Sequence, residues 1–137
     1  EIRAGELTAQ IVLTFPFPAE HLTLNRSNGV HWRTRKLLHD MWFNAVLVHA
    51  VKSRIRDLPP SNVQVHYTGI MVTDPENMAL VTKWILDSLA TGPKPPYGAG
   101  FWPDDNDTWV TVLPNTVERH RWPIQKRTVT ITVTERE

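Results

Sequence analysis

NVQVHYTGIMVTDPENMALVTKWILDSLA, at residues 62–90, contains the change of period on which the reading of the fold turns. Over 62–72 apolar and polar residues alternate. Val63, Val65, Tyr67 and Met71 share one face, the pattern of a half-buried strand. His66 lies on the other face, where a lone histidine is more often a hydrogen-bonded neighbour than a ligand. At Asp74-Pro75 the period changes: aspartate is a favoured N-cap and proline suits the first helical position. Met78, Val81, Ile85 and Leu89 then recur every three or four residues, which predicts a helix to about Ala90. Glu76, Lys83 and Asp87 fall on the side opposite that stripe, with Lys83 and Asp87 spaced as an i,i+4 ion pair.

Downstream, residues 91–100 (TGPKPPYGAG) are too rich in proline and glycine for regular structure. Phe101-Trp102-Pro103 re-enters the fold and delivers Asp104, Asp105 and Asp107. Adjacent residues in such a segment point in different directions, so Asp104 and Asp105 are not expected to act alike. Residues 109–113 (WVTVL) read as a strand, 114–126 as a basic loop and 127–134 (RTVTITVT) as a final alternating strand.

Upstream, residues 8–15 (TAQIVLTF) read as a strand that Pro16 and Pro18 stop. Residues 21–33 (HLTLNRSNGVHWR) read as a polar loop around a Ser27-Asn28-Gly29 turn. Trp32 has two readings there, a stacking surface or an anchor in the core. Residues 34–56 read as a helix capped by Thr34, with Leu38, Met41, Trp42, Ala45, Val48, Val51 and Ile55 as its apolar stripe. Lys52, Arg54 and Arg56 suit the C-terminal end of its dipole, whereas Arg33, Arg35 and Lys36 oppose the N-terminal end unless an external anion compensates them. The succession strand, helix, strand, helix, strand, strand predicts an α+β fold: one small domain, 1–137, with a mixed sheet of about four strands and two helices against it.

The chain has no cysteine, so disulfides and thiolate metal sites are excluded and any metal must take oxygen or imidazole ligands. No apolar run approaches a membrane span, and the opening Glu1-Ile2-Arg3 does not read as a signal peptide; a cytoplasmic setting is the expectation. The net charge of +1 conceals segregation. Residues 21–58 and 119–127 are basic, whereas 74–107 are acidic. An acidic pocket in a basic frame suits a metal-dependent enzyme acting on a polyanion, although segregated solvated faces produce the same pattern.

Asp74-Pro75-Glu76-Asn77, the helix ending Lys83-Trp84-Ile85-Leu86-Asp87-Ser88-Leu89, and Gly100-Phe101-Trp102-Pro103-Asp104-Asp105, in that order, resemble the RusA family of Holliday junction resolvases, phage-borne members especially. The likeness is strongest over 74–112 and does not extend to the C-terminal loop. It implies a magnesium-dependent endonuclease, with manganese as substitute, acting as a homodimer on four-way DNA junctions in recombination and repair in a bacterial or phage-infected cell. By motif it implies Asp74, Glu76 and Asp105 as catalytic acids and metal ligands, Asn77 beside them, Lys83 as the functional lysine, and Asp104 as an auxiliary ligand. Arg26, His31, Trp32, Arg33, Arg35 and Lys36 are the expected DNA-binding residues, with phosphate contact from the cations and stacking by Trp32.

Glu76 stands where the family has aspartate. Its arm is longer by one methylene, a displacement of roughly an ångström and of the size that misplaces catalytic groups. The sequence therefore also accommodates a branched-DNA-binding protein with weak or no cleavage, and a third reading in which the acids are helix caps and a calcium-stiffened loop.

Overall fold

The computed structural model describes residues 10–27 and 29–136. Thr8 and Ala9 of the expected first strand, the opening Glu1-Ile2-Arg3, and Asn28 of the expected turn lie outside the described residues. The fold is α+β, built on strands β1 (Ile11–Pro16), β2 (Ser61–Ile70), β3 (Val110–Val112), β4 (Thr116–Arg119) and β5 (Thr128–Glu135). The helices are a short α1 (Leu24–Ser27), a long α2 (Trp32–Lys52) and α3 (Ala79–Leu89). The order across the sheet is β1-β5-β2-β3, with β4 also pairing β2. β5 runs antiparallel to both of its neighbours, β1 and β2, whereas β3 and β4 run parallel to β2. The sheet is thus mixed, with five strands among the described residues rather than four.

β2 is the central strand. Val63, Val65 and Tyr67 on one of its faces are fully buried, beside Val129, Ile131 and Val133 of β5. α2 and α3 pack on one another, and Phe17 meets both Trp42 of α2 and Tyr67 of β2 edge to face at 5.0 and 6.2 Å. Trp42 is fully buried, and its indole N–H donates to the Glu20 carbonyl at 2.9 Å. Truncating such an aromatic residue costs about 3–5 kcal/mol. The stripe Met78, Val81, Ile85 and Leu89 of α3 is buried as its spacing predicts.

Several sequence expectations are corrected. Pro16 is the last paired residue of β1 rather than a stop; β1 is an edge strand, where a missing N–H costs little. Met71 is half exposed instead of sharing the face of Tyr67. Gly69 has φ 99° and the pairing with β4 shifts there, so this bulge reverses the parity of the strand. A side chain at Gly69 would also meet Trp122 at 2.8 Å. Residues 21–33 are not all loop: α1 interrupts them, and Trp32 and Arg33 already belong to α2. The cap of α2 is His31, whose Nδ1 accepts the Arg33 amide proton at 3.1 Å, not Thr34. α2 ends at Lys52, and Arg54 and Asp57 in the turn beyond take left-handed conformations. Its buried residues are Trp42, Phe43, Val46 and Ala50, whereas Met41, Val48 and Val51 are exposed. The helix is apolar on more than one face, so periodicity alone does not choose which side meets the sheet. Part of the expected basic loop 114–126 is strand β4.

Candidate functional site

The Asp74 turn is held from three directions. Asp74 Oδ1 accepts the Glu76 amide proton at 3.0 Å and caps a 3-10 turn, Pro75–Met78, that leads into α3. Arg119 of β4 donates from Nε to the Val72 carbonyl at 3.0 Å and from its terminal nitrogen to the Thr73 carbonyl, fixing the two residues before Asp74. From inside, Asn115 donates to the Pro75 carbonyl at 3.5 Å. Asn115 is buried in the break between β3 and β4, and its Oδ1 accepts from the Thr82 hydroxyl at 3.0 Å. That hydroxyl also bonds Tyr67 at 2.7 Å, and burial pushes the Tyr67 phenol far above its ordinary pKa, so it stays protonated. Arg119 and Asn115 carry no signal in the sequence; only the pairing of β4 with β2 brings them to the turn.

The second acidic segment is pinned to the end of α3. Phe101 N–H donates to the Leu89 carbonyl at 2.9 Å and Thr91 N–H to the Trp102 carbonyl at 2.9 Å. Trp102 is fully buried, and its indole N–H reaches the Pro59 carbonyl and the Ser61 hydroxyl, both at 3.2 Å. The chain returns to α3 so closely at Gly98 that an added Cβ would lie 1.9 Å from the Ala90 carbonyl oxygen. The segment then aims Asp105 at Lys83, whose ammonium bonds Asp105 at 2.5 Å and Asp87 at 3.1 Å. Asp104 turns the other way: its carboxylate accepts from the Asp105 amide at 2.8 Å and from the Asn106 side chain at 3.4 Å. The two neighbouring aspartates therefore diverge, as expected.

Lys83 serves the two carboxylates unequally. Burial pushes Asp105 upward, but the hydrogen bond and charge of Lys83 outweigh it and hold Asp105 below the usual carboxylate range. For Asp87, burial prevails and its pKa is raised despite Lys83. Burial works against the Lys83 charge too, yet the two carboxylates leave the lysine pKa raised. Beside this triad lies an open groove of about 470 Å³ lined by Glu76, Thr82, Lys83, Leu86, Val112 and Asn115. Lys83 thus links Asp105 to the groove that Glu76 lines.

The donors on this edge are all carboxylate oxygens, the chemistry suited to a hard dication. Their gathering does not match it: among the described residues no three histidine, aspartate or glutamate side chains stand close enough to hold a metal ion. Asp74 is engaged as a cap and Asp105 by Lys83.

The expected DNA-contacting residues fall into two places. His31, Trp32, Arg33, Arg35 and Lys36 form the start of α2 and are exposed. Trp32 is 60% exposed, so it is not a core anchor. It stacks on His31 at 5.8 Å and carries the Arg33 guanidinium over its ring at 5.3 Å. Lys36 is paired with Asp40 at 3.0 Å. Arg26 lies elsewhere, on a cleft shared with the C-terminal loop. His66 bonds the Thr116 hydroxyl at 2.6 Å, as a hydrogen-bonded neighbour.

No protein-family model matches the chain, and no curated protein matches it. No helix among the described residues is long and apolar enough to cross a membrane.

Proposed function

We propose that the chain is a RusA-like endodeoxyribonuclease that acts on four-way DNA junctions as a homodimer. The observation that carries this reading is the meeting of Lys83 with Asp105 beside the Glu76 groove. These are the helix lysine and the second acid of the pair, 22 positions apart in sequence, that the resemblance assigns to one site. Holding magnesium would require the carboxylates of Asp74, Glu76 and Asp105, which do not gather among the described residues, to turn together, with Asp105 released from Lys83 and Asp104 as an auxiliary ligand; the ion would then supply an activated water and neutralise charge at the phosphate. Lys83 places a positive charge where the scissile phosphate or its leaving oxygen would lie. Arg119 and Asn115 fix the turn that carries Asp74 and Glu76. The cations and Trp32 at the start of α2 offer phosphate contacts and a stacking face, which junction recognition by shape requires more than base reading.

The homodimer is supported by a stripe on the outer side of α2. Leu37, Met41, Val48 and Val51 are 59, 41, 50 and 58% exposed and lie on one helical face, which a second copy would cover. A twofold pair of sites matches the symmetry of a junction.

A second reading, binding of branched DNA with weak or no cleavage, is favoured by the neutralisation of Asp105 by Lys83 and by the ungathered acids. One assay separates them. With magnesium, a labelled synthetic junction is expected to yield paired nicks in opposing strands. Asp74→Asn and Asp105→Asn should abolish the nicks and leave binding intact. Binding without nicks by the unmodified chain selects the second reading; no binding at low salt to junction, duplex or single strand removes both.

A further inference from the structure

A second cavity lies apart from the acidic edge. It is a cleft of about 590 Å³ between α1, the end of β2 and the C-terminal loop, and its lining includes His21, Arg26, Asn77, Arg121, Trp122 and Arg127. Thr73 also lines it, so the cleft reaches the residue before Asp74. The 3-10 turn Pro75–Met78 is the ridge between the two cavities, with Glu76 on the groove and Asn77 on the cleft.

The cations of the cleft divide into a structural one and two free ones. Arg127 is occupied: it donates to the Trp122 carbonyl at 3.1 Å and to the Glu20 carboxylate at 3.2 Å, holding the loop against the sheet. Among the described residues, the guanidinium groups of Arg26 and Arg121 have neither a carboxylate nor a hydrogen-bond acceptor. The buried Nδ1 of His21 also lacks a hydrogen-bond partner. Among the described residues no carboxylate lines the cleft itself; those of Glu118 and Glu20 bond its His120 and Arg127. Two unpaired guanidiniums in a concave site attract an anion, and charge-assisted hydrogen bonds to an oxyanion are the strong kind.

The cleft also carries an aromatic surface. His120 lies flat on Trp122, with ring centres 4.3 Å apart and planes 5° apart, and the Trp122 ring packs on Gly69. The Glu118 carboxylate fixes the imidazole edge at 2.8 Å, and 40% of the His120 side chain stays exposed. A flat, oriented, partly exposed ring beside two free guanidiniums is the combination that takes an unpaired nucleotide: base on the ring, phosphates on the cations.

We infer that the cleft seats one unpaired nucleic-acid strand, with Arg26 and Arg121 on successive phosphates and a base on His120, leading past Thr73 and Asn77 to the acidic edge. The inference builds on the proposed DNA substrate and adds the route of the strand. It assigns a binding role to the C-terminal loop, the part of the chain that the family resemblance does not reach.

The test is fluorescence anisotropy of the full chain with a labelled oligothymidylate and with a labelled four-way junction, over a range of salt. Arg26→Ala/Arg121→Ala should lose roughly tenfold or more in affinity for the single strand. Its log–log salt slope should fall by about 1.4, or about 0.7 for each lost phosphate contact. His120→Ala should weaken binding without changing the slope, since it removes a stacking face and not a phosphate contact. Lys52→Ala, an exposed cation at the far end of α2, is the control for general charge loss, and unchanged melting temperatures show that the variants fold. Affinity and slope of the double variant equal to those of Lys52→Ala overturn the inference, even if the chain cuts junctions. Single-strand binding that depends on Arg26 and Arg121, without junction binding, upholds the cleft and removes the proposed function. A chain that binds neither DNA loses both.

Discussion

At Asp74 the carboxylate accepts the Glu76 amide proton, so substitution removes a helix cap whatever else it removes. Asparagine caps about as well as aspartate, and alanine does not. Asp74→Ala is therefore expected to lower stability by about 1 kcal/mol in urea unfolding, and Asp74→Asn by a few tenths at most. Both should abolish junction cleavage. Equal activity in Asp74→Asn and the unmodified chain would reduce Asp74 to its capping role. His21 supplies a pH prediction. Burial, then the nearby Arg127, holds its pKa below the ordinary 6.5, against the opposing pull of Glu20. The unfolded chain accordingly binds more protons as pH falls below 6.5. Stability present above that pH is lost as pH drops through the lower folded-state value. The melting temperature should fall between pH 7 and 5, and the fall should be shallower in His21→Gln; identical slopes would refute the assignment.

Among the elements, the sheet and α3 are joined by the buried chain Tyr67–Thr82–Asn115. Thr82→Val keeps the shape but leaves Asn115 and Tyr67 short of a partner, at a cost of about 1–3 kcal/mol. Because Asn115 also holds the Pro75 carbonyl, cleavage should fall along with stability, whereas Thr82→Ser should restore both. The return of the chain at Gly98 has no such latitude: any Cβ there meets three backbone carbonyl oxygens at 1.9–2.8 Å. Gly98→Ala is expected to cost about 3 kcal/mol, read in thermal or urea unfolding, and to detach the Asp105 segment from Lys83. Element types were largely legible in the sequence. The alternation of β5 and the three-four spacing of α3 each admit one reading, because one face of each is polar or short of apolar residues. α2 does not: with apolar residues on several sides, the phase that buries Phe43, Val46 and Ala50 follows from where α3 and the sheet lie.

For the molecule as a whole, two measurements bear on the proposed site and its symmetry. Magnesium that binds the folded chain alone should stabilise it by about 1.4–2.7 kcal/mol at 10–100 times its Kd. A rise in melting temperature with millimolar magnesium or manganese, reversed by chelation and absent in Asp105→Asn, is the expected result. No shift would count heavily against the three acids as a metal site. The stripe on α2 predicts that Val48→Glu lowers the mass of the particle in light scattering from two chains to one while the fold persists. A particle mass unchanged by the substitution would place the contact between copies elsewhere.

The sequence by itself determined the α+β class, the change from strand to helix at Asp74-Pro75, the capping role of Asp74, the buried stripe of α3 and the Lys83–Asp87 pair. Each depends on residues within a few positions of one another, where chain geometry alone sets who meets whom. Tertiary structure decided the rest: the pairing of Lys83 with Asp105, the clamp of Arg119 on the Asp74 turn, the outward phase of Met41, Val48 and Val51, and the basic cleft of Arg26 and Arg121. These join segments tens of residues apart, and their contacts follow from strand order, from the bulge at Gly69 and from parallel β4, none of which leaves a periodic trace in the chain.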